Sequence, residues 1–76
     1  MQKQTTVYYS RVDAIIALAK RLNLYERRYQ LSSEDFFDQF HKGQLEDAID
    51  FVEWANDYQN LLALKAEVEE RLSYAA

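Results

Sequence analysis

The sequence predicts an all-α protein of three helices with a long C-terminal helix, assembled as a dimeric helical bundle. Three observations lead to this fold class. The 76 residues include no proline, a single glycine and many residues that favour helix. Apolar residues recur at intervals of three and four. Capping signals divide the chain into segments. A chain this short forms one domain with a small core, and such a domain gains stability from association.

The first predicted helix spans residues 8–30 and follows a polar arm, residues 1–7. Ser10 is suited to cap the helix, and Asp13 lies three positions later, as in a capping box. Arg27 and Arg28 lie in the last turns, where the helix dipole favours positive charge. Helical spacing predicts a buried stripe formed by Tyr8, Val12, Ile15, Ile16, Ala19, Leu22 and Tyr29. Leu18 and Tyr25 widen this stripe.

The second predicted helix spans residues 33–42 and has the clearest start signal in the chain. Ser32 is the expected N-cap, and the Asp35 carboxylate can reach back toward a free backbone N–H. Leu31 and Phe36 are spaced as a hydrophobic staple across this cap. Gly43 then supplies the left-handed residue that ends the helix.

The third predicted helix begins near residue 45 and runs unbroken to about residue 73. Such a helix is about 40 Å long, whereas a compact domain of this size is about 30 Å across. Its C-terminal half is therefore expected to project beyond its own domain and to need cover from another chain. We predict that the oligomer interface consists of Leu61, Leu62, Leu64, Val68 and Leu72.

Charge is divided unevenly along the chain. Residues 1–31 carry a net charge of +4 and residues 32–76 a net charge of −8, which gives the total of −4. This asymmetry can serve pairing within the chain, attraction of a basic partner, or both. Spacings of four, three and four place four acidic side chains of the third helix on one face: Glu46, Asp50, Glu53 and Asp57.

The acidic face has three interpretations. A metal or acid–base site is disfavoured because carboxylate metal bundles use Glu-x-x-His pairs, and the sequence contains none. A solvated face is the simplest interpretation, since charged runs are seldom buried. As an addition to it, the face can attract a basic protein surface, with Tyr58 as an anchor beside the acids.

Other functional classes lack their characteristic residues. His41 is the single histidine and there is no cysteine, so the sequence offers no nucleophilic triad and no thiolate site. The helix after Gly43 opens with five acids and no base, which repels nucleic acid. The longest apolar run, residues 14–19, is too short to cross a bilayer. We therefore expect no enzyme, cofactor, metal, direct nucleic-acid binding or membrane insertion, and a cytoplasmic location.

Residues 28–72 resemble a family of small all-helical proteins of bacteria and archaea that is frequent in cyanobacteria. The positions that carry the resemblance are Tyr29, Leu31, Ser32, Glu34, Asp35, Phe36, Phe40, Gly43, Leu45, Asp47, Asp50, Phe51, Glu53 and Trp54. Gln30 departs from the glycine expected after the tyrosine, which concerns the end of the first helix. The family is mostly uncharacterised, and some members resemble the small partner of a toxin–antitoxin pair.

The sequence thus predicts a non-catalytic protein-interaction module. The resemblance implies a binding protein that neutralises a toxin by direct contact. The acidic and aromatic surfaces favour a basic, nucleic-acid-processing toxin as the partner of such an antitoxin. The alternative is a structural or assembly adaptor that acts through homo-oligomeric packing of its long helix. A carboxylate-metal enzyme is the third and least favoured hypothesis.

Overall fold

A computed structural model describes the backbone of residues 10–75 and the side chains of residues 10–72. The described chain forms α1 (Arg11–Tyr29), α2 (Ser33–His41) and α3 (Ile49–Ala75) and contains no strand. The predicted all-α, three-helix fold class is therefore confirmed. The predicted arm, residues 1–7, lies outside the described residues, as do residues 8 and 9, which were assigned to the first helix.

The helix boundaries follow from the predicted caps. Ser10 and Ser32 each have an extended backbone, and each hydroxyl accepts a hydrogen bond from the backbone N–H three residues later, at 3.1 Å. Gly43 has the left-handed conformation predicted for it, with φ of 72°. Gln30 is also left-handed, with φ of 56°, and ends α1. A glycine would adopt that conformation without the steric cost that a side chain brings.

The helix α3 begins at Ile49, so the predicted start near residue 45 was too early. The N–H of Gln44 closes the end of α2 by binding the Gln39 carbonyl at 3.0 Å. Leu45 then packs against the core from the non-helical connection. The 27 residues of α3 extend about 40 Å, which matches the longest dimension of the molecule, 40 Å.

The core lies where all three helices meet. Trp54 and Phe36 are fully buried, with parallel rings whose centroids are 3.8 Å apart. The indole N–H of Trp54 donates to the Ser33 hydroxyl at 2.8 Å, so its polar atom is satisfied inside the core. The Glu26 carboxylate accepts from the Ser33 backbone N–H at 2.9 Å and so ties α1 to the start of α2.

The buried face of α1 differs from the predicted stripe. Ala14, Leu18 and Leu22 are buried, whereas Val12 and Ile16 are about half exposed. The pattern was misread because α1 carries apolar side chains on more of its surface than one packing contact covers. The two exposed residues therefore belong to a second apolar face of the molecule.

Candidate protein-interaction surface

Ion pairs fix α1 and α3 side by side in antiparallel register. The pairs are Arg11 with Glu67, Arg21 with Asp57 at 2.8 Å, and Arg28 with Asp50 at 3.0 Å. Each step forward along α1 is matched by an equal step backward along α3: ten residues between the first two pairs and seven between the next two. We call this line of contacts the charged seam. It shows that the charge asymmetry of the sequence serves pairing within the chain.

Tyrosines extend the charged seam at the end nearest α2. The Tyr29 hydroxyl donates to the Asp50 carboxylate at 2.6 Å, and the Tyr25 hydroxyl donates to the Glu53 carboxylate at 3.3 Å. The hydrogen bond from Tyr29, with that from Arg28, lowers the pKa of Asp50 below its ordinary value of 3.8. The same bond to Asp50 raises the pKa of Tyr29, while burial followed by the Glu53 charge raises the pKa of Tyr25.

Asp57 is the buried member of the charged seam. Its relative exposure is 3%, and one carboxylate oxygen accepts from Arg21. Its second oxygen, Oδ2, is buried without a hydrogen-bond partner among the described residues. The Arg21 side chain remains 54% exposed, so water solvates one end of the pair. The pair fixes the register of the two helices at their midpoint.

The predicted acidic face therefore does not exist as one solvated surface. Asp50, Glu53 and Asp57 are brought together as predicted, but they face α1 and bind its side chains. Glu46 is exposed in the connection before α3 begins, so helical spacing does not apply to it. Tyr58 is half-buried, with its ring 5.0 Å from that of Phe37, and belongs to the α2–α3 contact.

An apolar surface lies on the side of the α1–α3 pair where α2 packs, beyond the first turn of α2. Ala19, Leu62 and Lys65 line a groove of about 430 Å³ there, beside the start of α2. Val12 and Ile16 share the helix face of Ala19 through spacings of four and three. Leu72 continues the line of Leu62 along α3 through Lys65 and Glu69, at spacings of three, four and three. We call this surface the open face; its exposed apolar side chains are Val12, Ile16, Leu62 and Leu72.

The structure divides the predicted oligomer interface in two. Leu62 and Leu72 are 41% and 64% exposed and belong to the open face. Leu61 packs against the hydrophobic core, Leu64 lines a cleft with Ala14 and Leu18 on the opposite side, and Val68 is half-buried. Sequence reasoning missed Val12 and Ile16, because it assigned them to the core. The available signal was the excess width of the apolar surface on α1.

No three His, Cys, Asp or Glu side chains within residues 10–72 are grouped to hold a metal ion. His41 is exposed at the end of α2, with its ring against that of Phe37 at 4.2 Å. None of the three helices, as far as the structure describes them, is long and apolar enough to cross a bilayer.

Comparisons with protein-family models, with curated proteins and with solved structures give no match.

Proposed function

We propose that this chain is a non-catalytic protein-interaction module that binds another polypeptide through the open face. The observation that carries the proposal is the exposure of Val12, Ile16, Leu62 and Leu72 on one side of the α1–α3 pair. Clustered apolar side chains next to a groove are typical of a docking surface. The proposed class of function, a protein-interaction module, is the one expected from the sequence. The proposed binding surface differs, because it consists of apolar side chains and not of the acidic residues of α3.

Site-specific photo-crosslinking tests this proposal in cells that produce the full chain. A photoreactive phenylalanine at Ile16 is expected to form a protein adduct, because this position lies within the open face. The matched control is Ile49, which is 77% exposed but lies at the start of α3, away from the open face. Failure of position 16 to form an adduct, or equal adducts at both positions, would contradict the proposal.

A basic toxin is the second candidate partner, through a different surface. Five acidic side chains are exposed on α2 and on the connection to α3, namely Glu34, Asp35, Asp38, Glu46 and Asp47. Lys42 pairs with one of them, Asp38, at 2.9 Å. The remaining negative surface favours a positively charged partner, as an antitoxin of the family that the sequence resembles would require.

Charge reversal separates the antitoxin candidate from general loss of fold. Glu46→Lys with Asp47→Lys is expected to abolish co-purification with a basic protein encoded by an adjacent gene, with helicity unchanged, because both residues are exposed outside helices. Asp50→Lys is expected to reduce stability instead, because Asp50 binds Arg28 and Tyr29 within the chain. Unimpaired co-purification of the double variant would show that Glu46 and Asp47 do not contribute to binding the basic protein.

A further inference from the structure

A heptad-like stripe runs along α3, and α2 covers only its first half. The covered half consists of Phe51, Ala55 and Tyr58; the Phe51 ring lies 5.6 Å from Phe36 and the Tyr58 ring lies 5.0 Å from Phe37, both on α2. Because α2 has only nine residues, it covers only part of the stripe, and its first residues, Ser33 and Glu34, lie beside Leu62 where the covered half ends. The stripe continues, at spacings of three, four and three, as Leu62, Lys65, Glu69 and Leu72.

The uncovered half of the stripe is self-complementary when it is reversed. It reads Leu, Lys, Glu, Leu with symmetric spacing, so an antiparallel copy places a leucine against each leucine and a carboxylate against each ammonium. Leu62 then faces the partner's Leu72, and Lys65 faces the partner's Glu69. Layers of this kind are those of an antiparallel coiled coil, and a polar layer between apolar ones fixes the register.

The side chains of the uncovered half are available for such pairing. Lys65 and Glu69 contact each other at 3.1 Å along the helix, and both side chains are mostly exposed. An exposed pair of this kind contributes little to the stability of one chain. Both charges can therefore turn toward a second helix at small cost.

The helix α1 makes the same surface two helices wide. Arg11 pairs with Glu67, so Ile16, five residues further along α1, lies level with Leu62, five residues back along α3. Val12 lies one turn from Ile16 on the same side. Since the partner's Leu72 faces Leu62, it also lies level with Ile16, so each end of the contact brings together three helices: α1, α3 and the partner's α3.

Resting on the proposed function of the open face, we infer that its occupant is a second copy of this chain. The two copies are related by a two-fold axis at the level of Glu67. Their α3 helices run antiparallel, and Lys65 pairs with the partner's Glu69 on both sides of the axis. The interface is isologous, so every contact occurs twice.

Reciprocal charge reversal tests the register directly. Lys65→Glu places a carboxylate against the partner's Glu69, and Glu69→Lys places an ammonium against the partner's Lys65. Each variant alone is expected to raise the dimer dissociation constant at least about tenfold, because like charges meet twice across the axis. An equimolar mixture of the two variants restores opposite charges in both pairs, and is expected to form heterodimers about as tight as the wild-type dimer.

The mixture is the informative experiment, because the contact between Lys65 and Glu69 within one chain is lost in both variants and cannot be restored by mixing. Sedimentation equilibrium of each variant and of the mixture provides the measurement. A wild-type dimer without rescue in the mixture would overturn the antiparallel register. A wild-type chain that remains monomeric up to its solubility limit would overturn the inference of a second copy.

An apolar control completes the test. Leu72→Asp is expected to dissociate the dimer. Ile49 is as large as leucine and more exposed than Leu72, but it lies outside the open face, so Ile49→Asp should leave the dimer intact. Equal effects of the two substitutions would contradict the assigned interface. The crosslinking experiment separates this inference from the proposed function, because an adduct at position 16 with a different protein leaves the open face as a binding surface and removes only the second copy.

Discussion

Replacing Arg21 with methionine removes the hydrogen-bonded partner of a buried carboxylate. Asp57 is almost fully buried, and its second oxygen already has no partner among the described residues. Breaking a fully buried ion pair costs about 3–5 kcal/mol. Since half of the Arg21 side chain is in water, the charge attraction is screened, and we expect a loss of about 2 kcal/mol in the free energy of unfolding.

Urea unfolding followed by circular dichroism measures this loss at a fixed protein concentration, because association would otherwise shift the transition. In a thermal melt, about 2 kcal/mol corresponds to a fall in Tm of roughly 10 °C for a domain of this size. The matched control is Arg27→Met, which removes an exposed arginine of the same helix that has no ion pair within the described chain. We expect the control to change stability by less than about 0.5 kcal/mol.

The double variant Arg21→Met with Asp57→Leu provides the decisive comparison. Replacing both members of a buried ion pair by apolar side chains is often neutral, so the double variant should be more stable than Arg21→Met alone. If Arg21→Met is no less stable than Arg27→Met, or if the double variant is less stable than Arg21→Met, Asp57 does not depend on Arg21 as the geometry indicates.

Four further predictions concern the core, the end of α1 and the charged seam. Ser33→Ala leaves the Trp54 indole N–H without its acceptor inside the core, and should lower the free energy of unfolding by about 1–3 kcal/mol in urea titrations; an unchanged midpoint would contradict this. Gln30→Gly removes the steric cost of a side chain in the left-handed conformation, but it adds backbone entropy to the unfolded chain and loses the hydrogen bond to the Arg27 carbonyl. We expect a net gain of about 0.5 kcal/mol in the free energy of unfolding and therefore a higher Tm. A lower Tm would show that the lost hydrogen bond outweighs the relieved strain. Because the pKa of Asp50 is lowered in the folded chain, its contribution is present above pH 3.8 and is lost on acidification, so Asp50→Asn should be less stable than wild type at neutral pH and equally stable in acid. The pKa of Tyr29 is raised in the folded chain, so its contribution is present below pH 10.0 and is lost as the pH rises above that value. Above pH 10.0, Tyr29→Phe should therefore lose less stability with rising pH than wild type does. Thermal melts over a range of pH check the sign of both effects.

Local signals in the sequence were sufficient for the starts of α1 and α2 and for the end of α2. Ser10, Ser32 and Gly43 act through neighbours within a few residues, so their roles could be read from spacing alone. The start of α3 could not, because Leu45 leaves the helical path to reach the core formed by distant residues. Tertiary contact overrides helix propensity in that segment.

The binding surface was harder to predict than the fold. Helical periodicity shows that Asp50 and Asp57 share a face, but it does not show what the face meets. The basic residues of α1 have the complementary spacing, and matching the two spacings would have predicted the charged seam. The excess width of the apolar surface on α1 indicates that some of its apolar residues are exposed. Only the antiparallel register and the short length of α2 show that Val12 and Ile16 are among them.

The mass of the full chain in solution shows whether a second copy covers the open face. Sedimentation equilibrium over a range of concentrations is expected to show a species of twice the 9.0 kDa chain mass for wild type. It should show the single-chain mass for Leu72→Asp. A wild-type chain that remains at 9.0 kDa at every concentration, and that forms no adduct through Ile16 in cells, would contradict the claim that another polypeptide covers the open face.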